Sequence, residues 1–114
     1  LFVEQVMVIG EGRAHLTALI VPDLDAIRQH AKAERLTART REELLAEPAV
    51  TAHLDALLRE HGQTVPSHER VRAFRFAPEP FTTDNGLLTP TMKLRRALIE
   101  ERFAELVETM YEAR

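Results

Sequence analysis

Two short runs of β-branched and aliphatic residues open the chain, and they constrain its fold more than any other feature. The runs are Val3 to Ile9 and His15 to Val21, and Gly10-Glu11-Gly12-Arg13 lies between them. Runs of this length and composition are typical of strands, and a short connection that contains glycine is typical of a hairpin. The Gly-x-Gly lacks the third glycine of a dinucleotide-binding loop, so we interpret it as the hairpin turn.

Helix signals follow the hairpin. Asp23 can cap a first helix after Pro22 ends the strand, and a capping box formed by Thr40 and Glu43 predicts a second, short helix. That helix cannot continue past Pro48, which instead suits the first turn of a third helix ending at Gly62. Between the first two helices, Ala33 to Thr40 is expected to be a mobile loop.

The second half of the chain predicts one more strand and one closing helix. Arg70 to Ala77 reads as a strand in which Phe74 and Phe76 share a face. Arg96 to Glu112 carries apolar residues at helical spacing, and we predict a single helix over that range. Its predicted buried stripe is Ile99, Phe103, Leu106 and Met110. The fold class is therefore α+β, a small mixed sheet with hairpins and packed helices, in a single domain covering 1–114.

The segment from Phe81 to Arg96 is the most distinctive part of the sequence. After the turn signal Asp84-Asn85-Gly86 it is predicted to run as an extended strand. Alternation then places Leu88, Pro90, Met92 and Leu94 on one face and Thr89, Thr91, Lys93 and Arg95 on the other. Two hydroxyls and a cation in a row suit phosphate oxygens or a carboxylate. Residue chemistry alone leaves open the alternative of a solvated, basic strand end.

Lys93 also differs from the other basic residues of the chain. The chain has two lysines, Lys32 and Lys93, and arginine fills the remaining basic positions. Lysine is a compact point charge on a flexible stem, whereas arginine is a planar fork. A lysine in so arginine-rich a chain suggests that its geometry matters.

This segment resembles the C-terminal motif of the long-chain acyl-CoA synthetases, AMP-forming ligases of the adenylate-forming superfamily. The motif here reads Leu-Leu-Thr-Pro-Thr-Met-Lys-Leu-Arg-Arg, from Leu87 to Arg96. The opening residues, from Gln5 to Arg13 and from Leu16 to Asp23, are similar to the start of the same C-terminal domain, and the closing Met110-Tyr111 also fits. The Thr-Pro-Thr-x-Lys form points to the long-chain branch, because short-chain and aryl relatives usually have Gly before the lysine.

The resemblance implies the C-terminal lid domain of a larger fatty acid–CoA ligase. The parent enzyme joins a fatty acid to ATP with Mg²⁺, forms an acyl-adenylate, and then transfers the acyl group to CoA. The pockets for adenine and acyl chain belong to an N-terminal domain that is expected to precede this chain. The domain alone is expected to bind none of ATP, Mg²⁺ or CoA and to be inactive.

The resemblance also implies roles for individual residues. Lys93 matches the adenylation lysine and is the expected catalytic residue. Arg13 is a candidate for contact with a CoA phosphate, and no metal ligand is expected in this domain. The candidates for nucleotide or substrate binding are Thr89, Thr91, Gly86 and Arg95.

Composition excludes several other classes of function. A formal net charge of -3 gives no broad basic field for nucleic acid. The chain has no cysteine, which excludes disulfides and thiolate metal sites, and its five histidines form no H-E-x-x-H. No apolar run approaches the roughly 20 residues that span a bilayer.

The resemblance implies that the partners are the parent's own N-terminal domain and its substrates, a fatty acid, ATP and CoA. A cytoplasmic location is expected, with peripheral membrane association of the parent left open. Two alternatives to the long-chain ligase also remain at this point. One is another acyl- or aryl-adenylating ligase, and the other is a non-catalytic interaction module that kept the same fold.

Overall fold

A three-stranded mixed sheet organises the molecule. The computed structural model describes residues 2–35 and 40–112. In the sheet order β1-β2-β3, β2 pairs antiparallel with β1 and parallel with β3. The predicted α+β class with a small mixed sheet is confirmed. The strands are β1 (Val3–Ile9), β2 (Leu16–Pro22) and β3 (Val71–Phe76).

The predicted N-terminal hairpin is also confirmed. Met7 pairs with Leu19 across its two strands. The turn is closed by a hydrogen bond of 3.0 Å from the Arg13 amide to the Gly10 carbonyl. Gly12 has a φ of +72°, a conformation that glycine adopts at little cost because it has no Cβ.

Three helices connect β2 to β3, and each begins at its predicted signal. Asp23 Oδ1 accepts from the Ala26 amide at 3.1 Å. In the capping box, the Glu43 amide donates to Thr40 Oγ1 at 3.1 Å and the Thr40 amide donates to Glu43 Oε1 at 3.0 Å. Pro48 opens the third helix. The helices are α1 (Leu24–Ala33), α2 (Arg41–Leu45) and α3 (Pro48–Gly62).

Both faces of the sheet are covered at β2, which explains why that strand is apolar along most of its length, whereas Val6 and Val8 of β1 are exposed. One face packs against the segment that follows β3 and against the closing helices. The other face packs against α1, α2 and α3, and Phe74 and Phe76 lie on that side with ring centroids 5.5 Å apart. The predicted shared face of these two phenylalanines is confirmed.

The prediction of one uninterrupted closing helix is wrong. The chain forms α4 (Arg96–Arg102) and α5 (Ala104–Thr109), separated at Phe103, where φ is −109° and ψ is 29°. The backbone hydrogen bonds continue through the break, from Phe103 to Ile99 and from Val107 to Phe103. Val107 is buried in the core, whereas Leu106, which belongs to the predicted stripe, is only partly buried.

The remaining connections are short. A 3₁₀ turn at Ser67–Glu69 leads into β3. Half of the mobile loop predicted from Ala33 to Thr40, residues 36–39, lies outside the described residues. No helix among the described residues has the length and apolar character needed to cross a membrane.

Candidate functional site

The segment after the Asn-Gly turn forms a tight loop, and its predicted extended strand is wrong. Leu88 and Leu94 form an isolated antiparallel bridge, and the Thr89 amide donates to the Lys93 carbonyl at 2.9 Å. Pro90 has no amide hydrogen to donate to a sheet ladder, and Met92 has a φ of +68°. These two residues reverse the chain direction where the alternating pattern predicted that it would run straight.

The reversal also changes which residues share a face. Leu88 is buried, but the Met92 side chain is 67% exposed and Pro90 is exposed as well. The predicted apolar face therefore does not exist as a continuous surface. Instead, Leu87 and Leu88 form a buried base of the loop, and Pro90 and Met92 lie at its exposed tip.

Lys93 lies on the returning side of this loop, and its side chain is exposed. Among residues 2–35 and 40–112, no group forms a hydrogen bond or an ion pair with its ammonium. The backbone of Lys93 is held, since its amide donates to Thr89 Oγ1 at 3.1 Å. The loop thus presents an uncompensated cation on a fixed backbone, which can act on an anionic group supplied from outside the domain.

The base of the loop is anchored in the core. Leu87 and Leu88 belong to the cluster that covers one face of the sheet, together with Phe81, which is 1% exposed. The Arg95 amide donates to the Leu87 carbonyl at 3.0 Å, which closes the loop where the first residues of α4 begin. Burial of these side chains fixes the position from which the exposed tip extends.

A turn centred on Asn85 leads into the loop, as the sequence predicted. Asn85 Oδ1 accepts from the amides of Thr82 and Leu87, both at 3.1 Å, and its Nδ2 donates to the Pro80 carbonyl at 2.7 Å. Gly86 follows with a φ of +81°. The observed contribution of Gly86, a candidate for nucleotide binding, is therefore the backbone conformation that lets the chain turn toward Leu87.

Gln5 is a functional support that sequence reasoning missed. Its Nε2 donates to the Phe81 carbonyl and its Oε1 accepts from the Phe81 amide, both at 2.9 Å. A second contact runs from Arg96 Nη1 to the Val8 carbonyl at 2.7 Å. Both contacts tie the motif to β1. A polar residue inside an aliphatic strand was the one sequence signal for Gln5.

Arg95 lies directly after the loop and is exposed. Within the described residues its guanidinium, like the ammonium of Lys93, has no hydrogen-bond or ion-pair partner. Thr91 is exposed too, and its Oγ1 lies 3.1 Å from Thr89 Oγ1. The structure therefore brings the candidates from Gly86 to Arg95 together in one segment, where hydroxyls and cations can bind anionic oxygens.

Arg13, the candidate for CoA contact, has partners inside the domain. Its guanidinium forms an ion pair with Glu108 on α5 and lies 4.5 Å from the centroid of the Tyr111 ring. The hydrogen bond between the two side chains raises the pKa of Arg13 and lowers the pKa of Glu108. Arg13 thus links the hairpin turn to the closing helices and is bonded to no residue of the Lys93 loop.

The Tyr111 side chain packs at the end of the closing helices. Its hydroxyl donates to the His15 carbonyl at 2.8 Å and accepts from Thr17 Oγ1 at 3.0 Å. Because the Tyr111 hydroxyl both donates and accepts a hydrogen bond within the domain, we assign it a structural role. Over the described ranges, no three His, Asp or Glu side chains approach closely enough to hold a metal ion.

Comparison with known proteins identifies what this arrangement is similar to. Residues 1–114 match the family model described as the AMP-binding enzyme C-terminal domain. The chain is 34% identical over 110 residues to a long-chain-fatty-acid–CoA ligase of Mycobacterium tuberculosis, covering 96% of this chain and 18% of that protein. It is 36% identical over 117 residues to a peroxisomal long chain acyl-CoA synthetase of Arabidopsis thaliana, covering 96% of this chain and 16% of that protein.

Solved structures are similar over the same range. The adenylation domain of a carboxylate reductase from Mycobacterium chelonae is 29% identical with a TM-score of 0.66, covering 96% of this chain and 16% of that one. A didomain of a carboxylic acid reductase from Segniliparus rugosus, solved in complex with AMP, is 26% identical with a TM-score of 0.70, covering 96% and 14%. The chain thus spans 14% to 18% of the length of these relatives.

Proposed function

The chain belongs to the family of AMP-binding enzyme C-terminal domains, and we propose that it is the lid domain of a long-chain fatty acid–CoA ligase. Membership in the family makes it the C-terminal domain of an adenylate-forming enzyme. The finer assignment is supported by relatives named as long-chain-fatty-acid–CoA ligases in Mycobacterium tuberculosis and mouse, at 34% and 35% identity.

In the proposed parent reaction, a carboxylate oxygen of the fatty acid attacks the α-phosphorus of ATP. The new bond gives the acyl-adenylate, and the bond to the leaving pyrophosphate breaks. The CoA thiol then attacks the acyl carbon and releases AMP. We propose that Mg²⁺ accompanies ATP and is held by the parent's N-terminal domain.

Lys93 is the proposed catalytic residue of the first step. Negative charge accumulates on the phosphoryl oxygens as the carboxylate approaches, and an ammonium directed at that point stabilises the transition state. Lysine donates in three directions, so a single residue can contact both the carboxylate and the α-phosphate. The observation that carries this proposal is the exposed, unpaired ammonium on a loop whose backbone is fixed.

Gly86, Thr91 and Arg95 remain proposed contacts for nucleotide or substrate, in the same segment as Lys93. Arg13 remains a proposed contact for a CoA phosphate. Its guanidinium would have to exchange Glu108 for phosphate or bind both, because the ion pair already occupies it. The lid is proposed to dock on the parent's N-terminal domain in two poses, one for each half-reaction, of which the first uses the Lys93 loop.

A second candidate concerns the acceptor of the acyl group. The chain is 32% identical to a chloroplastic long-chain-fatty-acid–[acyl-carrier-protein] ligase of Arabidopsis thaliana. A carrier-protein thiol in place of the CoA thiol leaves the adenylating step, and the proposed role of Lys93, unchanged. Supplying the purified parent with each acceptor in turn distinguishes the two candidates.

An exchange assay tests the proposal. The parent enzyme is expected to exchange pyrophosphate into ATP in the presence of long-chain fatty acids, and more slowly with acetate or benzoate. The 114-residue chain alone is expected to support no exchange, since it supplies one side of the active site. Robust exchange by the isolated chain would contradict the lid assignment, and a preference for benzoate would contradict the substrate class.

A further inference from the structure

We propose that Thr89 is a positioning residue that sets the direction of Lys93, and that its hydroxyl is used within the loop and not on the nucleotide. This inference rests on the proposed catalytic role of Lys93. It reassigns Thr89, which the sequence placed beside Thr91 as a candidate for substrate binding. The assignment comes from the hydrogen bonds inside the loop.

Thr89 binds both backbone groups of Lys93. The Thr89 amide donates to the Lys93 carbonyl at 2.9 Å, and Thr89 Oγ1 accepts from the Lys93 amide at 3.1 Å. The Thr89 carbonyl also accepts from the Met92 amide at 2.8 Å. One residue thus holds the peptide groups on both sides of the Lys93 Cα, so the Cα–Cβ bond of the lysine has a fixed direction.

The loop needs this restraint because Met92 is strained. Its φ of +68° places a non-glycine residue in the left-handed region, which L-residues avoid. The side chain of Met92 is 67% exposed and makes few contacts that would hold it there. The hydrogen bonds that join Thr89 to Met92 and Lys93 oppose a return of the Met92 backbone to negative φ. Such a return would rotate Lys93 away from its present direction.

The hydroxyl geometry separates the roles of the two threonines. Thr89 Oγ1 uses an acceptor site for the Lys93 amide and lies 3.1 Å from Thr91 Oγ1, so its own hydrogen can be donated to Thr91. The hydrogen of Thr91 is then available to an acceptor outside the loop. Thr91 is exposed and Thr89 only partly exposed, in agreement with an inner, positioning role for Thr89.

Three variants of the full-length parent enzyme test the inference. Thr89→Val removes the hydroxyl and keeps the shape, and it is expected to lower kcat of the adenylating half-reaction about 10-fold, because small misplacement of a catalytic group is costly. The KM for ATP and the thioester-forming half-reaction are expected to be unchanged. Thr89→Ser restores the hydroxyl and is expected to recover most of the rate. Thr83→Val removes an exposed hydroxyl from the same segment as a matched control and is expected to have no effect.

Hydrogen exchange of the same variants gives a readout independent of activity. Exchange at the Lys93 amide is expected to be faster in Thr89→Val than in wild type or Thr83→Val, because that amide loses its acceptor.

An increased KM for ATP with unchanged kcat would show that Thr89 contacts the nucleotide and would overturn the inference. A normal kcat of the adenylating half-reaction in Thr89→Val would also overturn the positioning role. So would failure of Thr89→Ser to recover that rate, or an equal loss in both half-reactions of Thr89→Val. If Lys93→Ala itself has a normal adenylating rate, the proposed function fails; if only Thr89→Val is normal, the positioning role alone fails.

Discussion

Met92 has a backbone conformation that its side chain does not favour, and it immediately precedes the proposed catalytic residue. Its φ is +68° and its side chain is 67% exposed. A left-handed conformation costs an L-residue roughly 1–2 kcal/mol, and glycine avoids that cost. Glycine at this position would remove the strain while keeping the reversal of the chain.

Substitutions at Met92 are predicted to change stability in opposite directions. Met92→Gly should raise the free energy of unfolding by up to about 1 kcal/mol, after the larger unfolded-state entropy of glycine is subtracted. Met92→Val should lower it by about 1 kcal/mol, because β-branched residues are poorly tolerated at positive φ. Urea denaturation measures both. A gain with valine or a loss of similar size with glycine would contradict the observed backbone conformation.

The ion pair between Arg13 and Glu108 predicts a dependence of stability on pH. The hydrogen bond from Arg13 lowers the pKa of Glu108 in the folded state. A group with a lowered folded pKa contributes stability above its unfolded pKa, and the contribution is lost as the pH falls through the folded pKa. Glu108→Gln should therefore be slightly less stable than wild type at pH 7.

The control for this prediction is Glu105→Gln, which removes an exposed carboxylate from the same helix. Unfolding measured at pH 7 and at acidic pH should show a deficit for Glu108→Gln that disappears on acidification and is reduced by salt. Exposed pairs contribute little, so the effect is expected to be small. Identical behaviour of the two variants at every pH would mean that the ion pair does not form in solution.

Elements defined by local signals could be predicted from the sequence, because the signal and the structure involve the same few residues. Asp23 caps α1 with its own side chain, Thr40 and Glu43 form their capping box within one turn, and Gly12 supplies its own positive φ. The adjacent residues alone determine each of these. The hairpin and the starts of three helices were accordingly predicted within a residue or two.

Two elements follow a backbone path that their periodic apolar pattern did not predict. The alternation in the Lys93 loop matched a strand, but Met92 reverses the chain and Thr89 bonds to Lys93. The apolar spacing from Arg96 to Glu112 matched one helix, but packing of Val107 against the core accompanies a break at Phe103. In both segments the periodic pattern predicts which residues belong to the element, but it does not predict the path of the backbone.

The contact between Gln5 and Phe81 connects two elements 76 residues apart, and its loss is predicted to destabilise the fold. Phe81 is buried, so Gln5→Leu leaves its amide and carbonyl without partners at a cost of roughly 2 kcal/mol. Gln63→Leu, at an exposed position after α3, serves as the control and should change stability by less than about 0.5 kcal/mol. Urea denaturation of both variants is the measurement. If Gln5→Leu and Gln63→Leu had similar free energies of unfolding, water would be able to replace the Gln5 hydrogen bonds without loss of stability.

At the scale of the whole molecule, the sheet separates a structural side from a side that carries the candidate site. Helices α1 to α3 cover one face, and the Lys93 loop with α4 and α5 covers the other. The loop is held at its base by buried Leu87 and Leu88 and to β1 by Gln5 and Arg96. The proposed lid would need such connections to act as a rigid body, because they would transmit a rotation of the domain to the position of Lys93.

The most direct test of this account measures the two half-reactions separately in the full-length parent. Lys93→Ala is predicted to slow acyl-adenylate formation roughly 100-fold or more, the effect of losing one preorganised contact to a transition state. Thioester formation from a supplied acyl-adenylate should be nearly unchanged, and Lys93→Arg should recover little, because a planar guanidinium cannot occupy the same point. Arg95→Ala removes the neighbouring unpaired cation and is predicted to cost much less. Equal losses in Lys93→Ala and Arg95→Ala, or equal losses in both half-reactions of Lys93→Ala, would contradict the account.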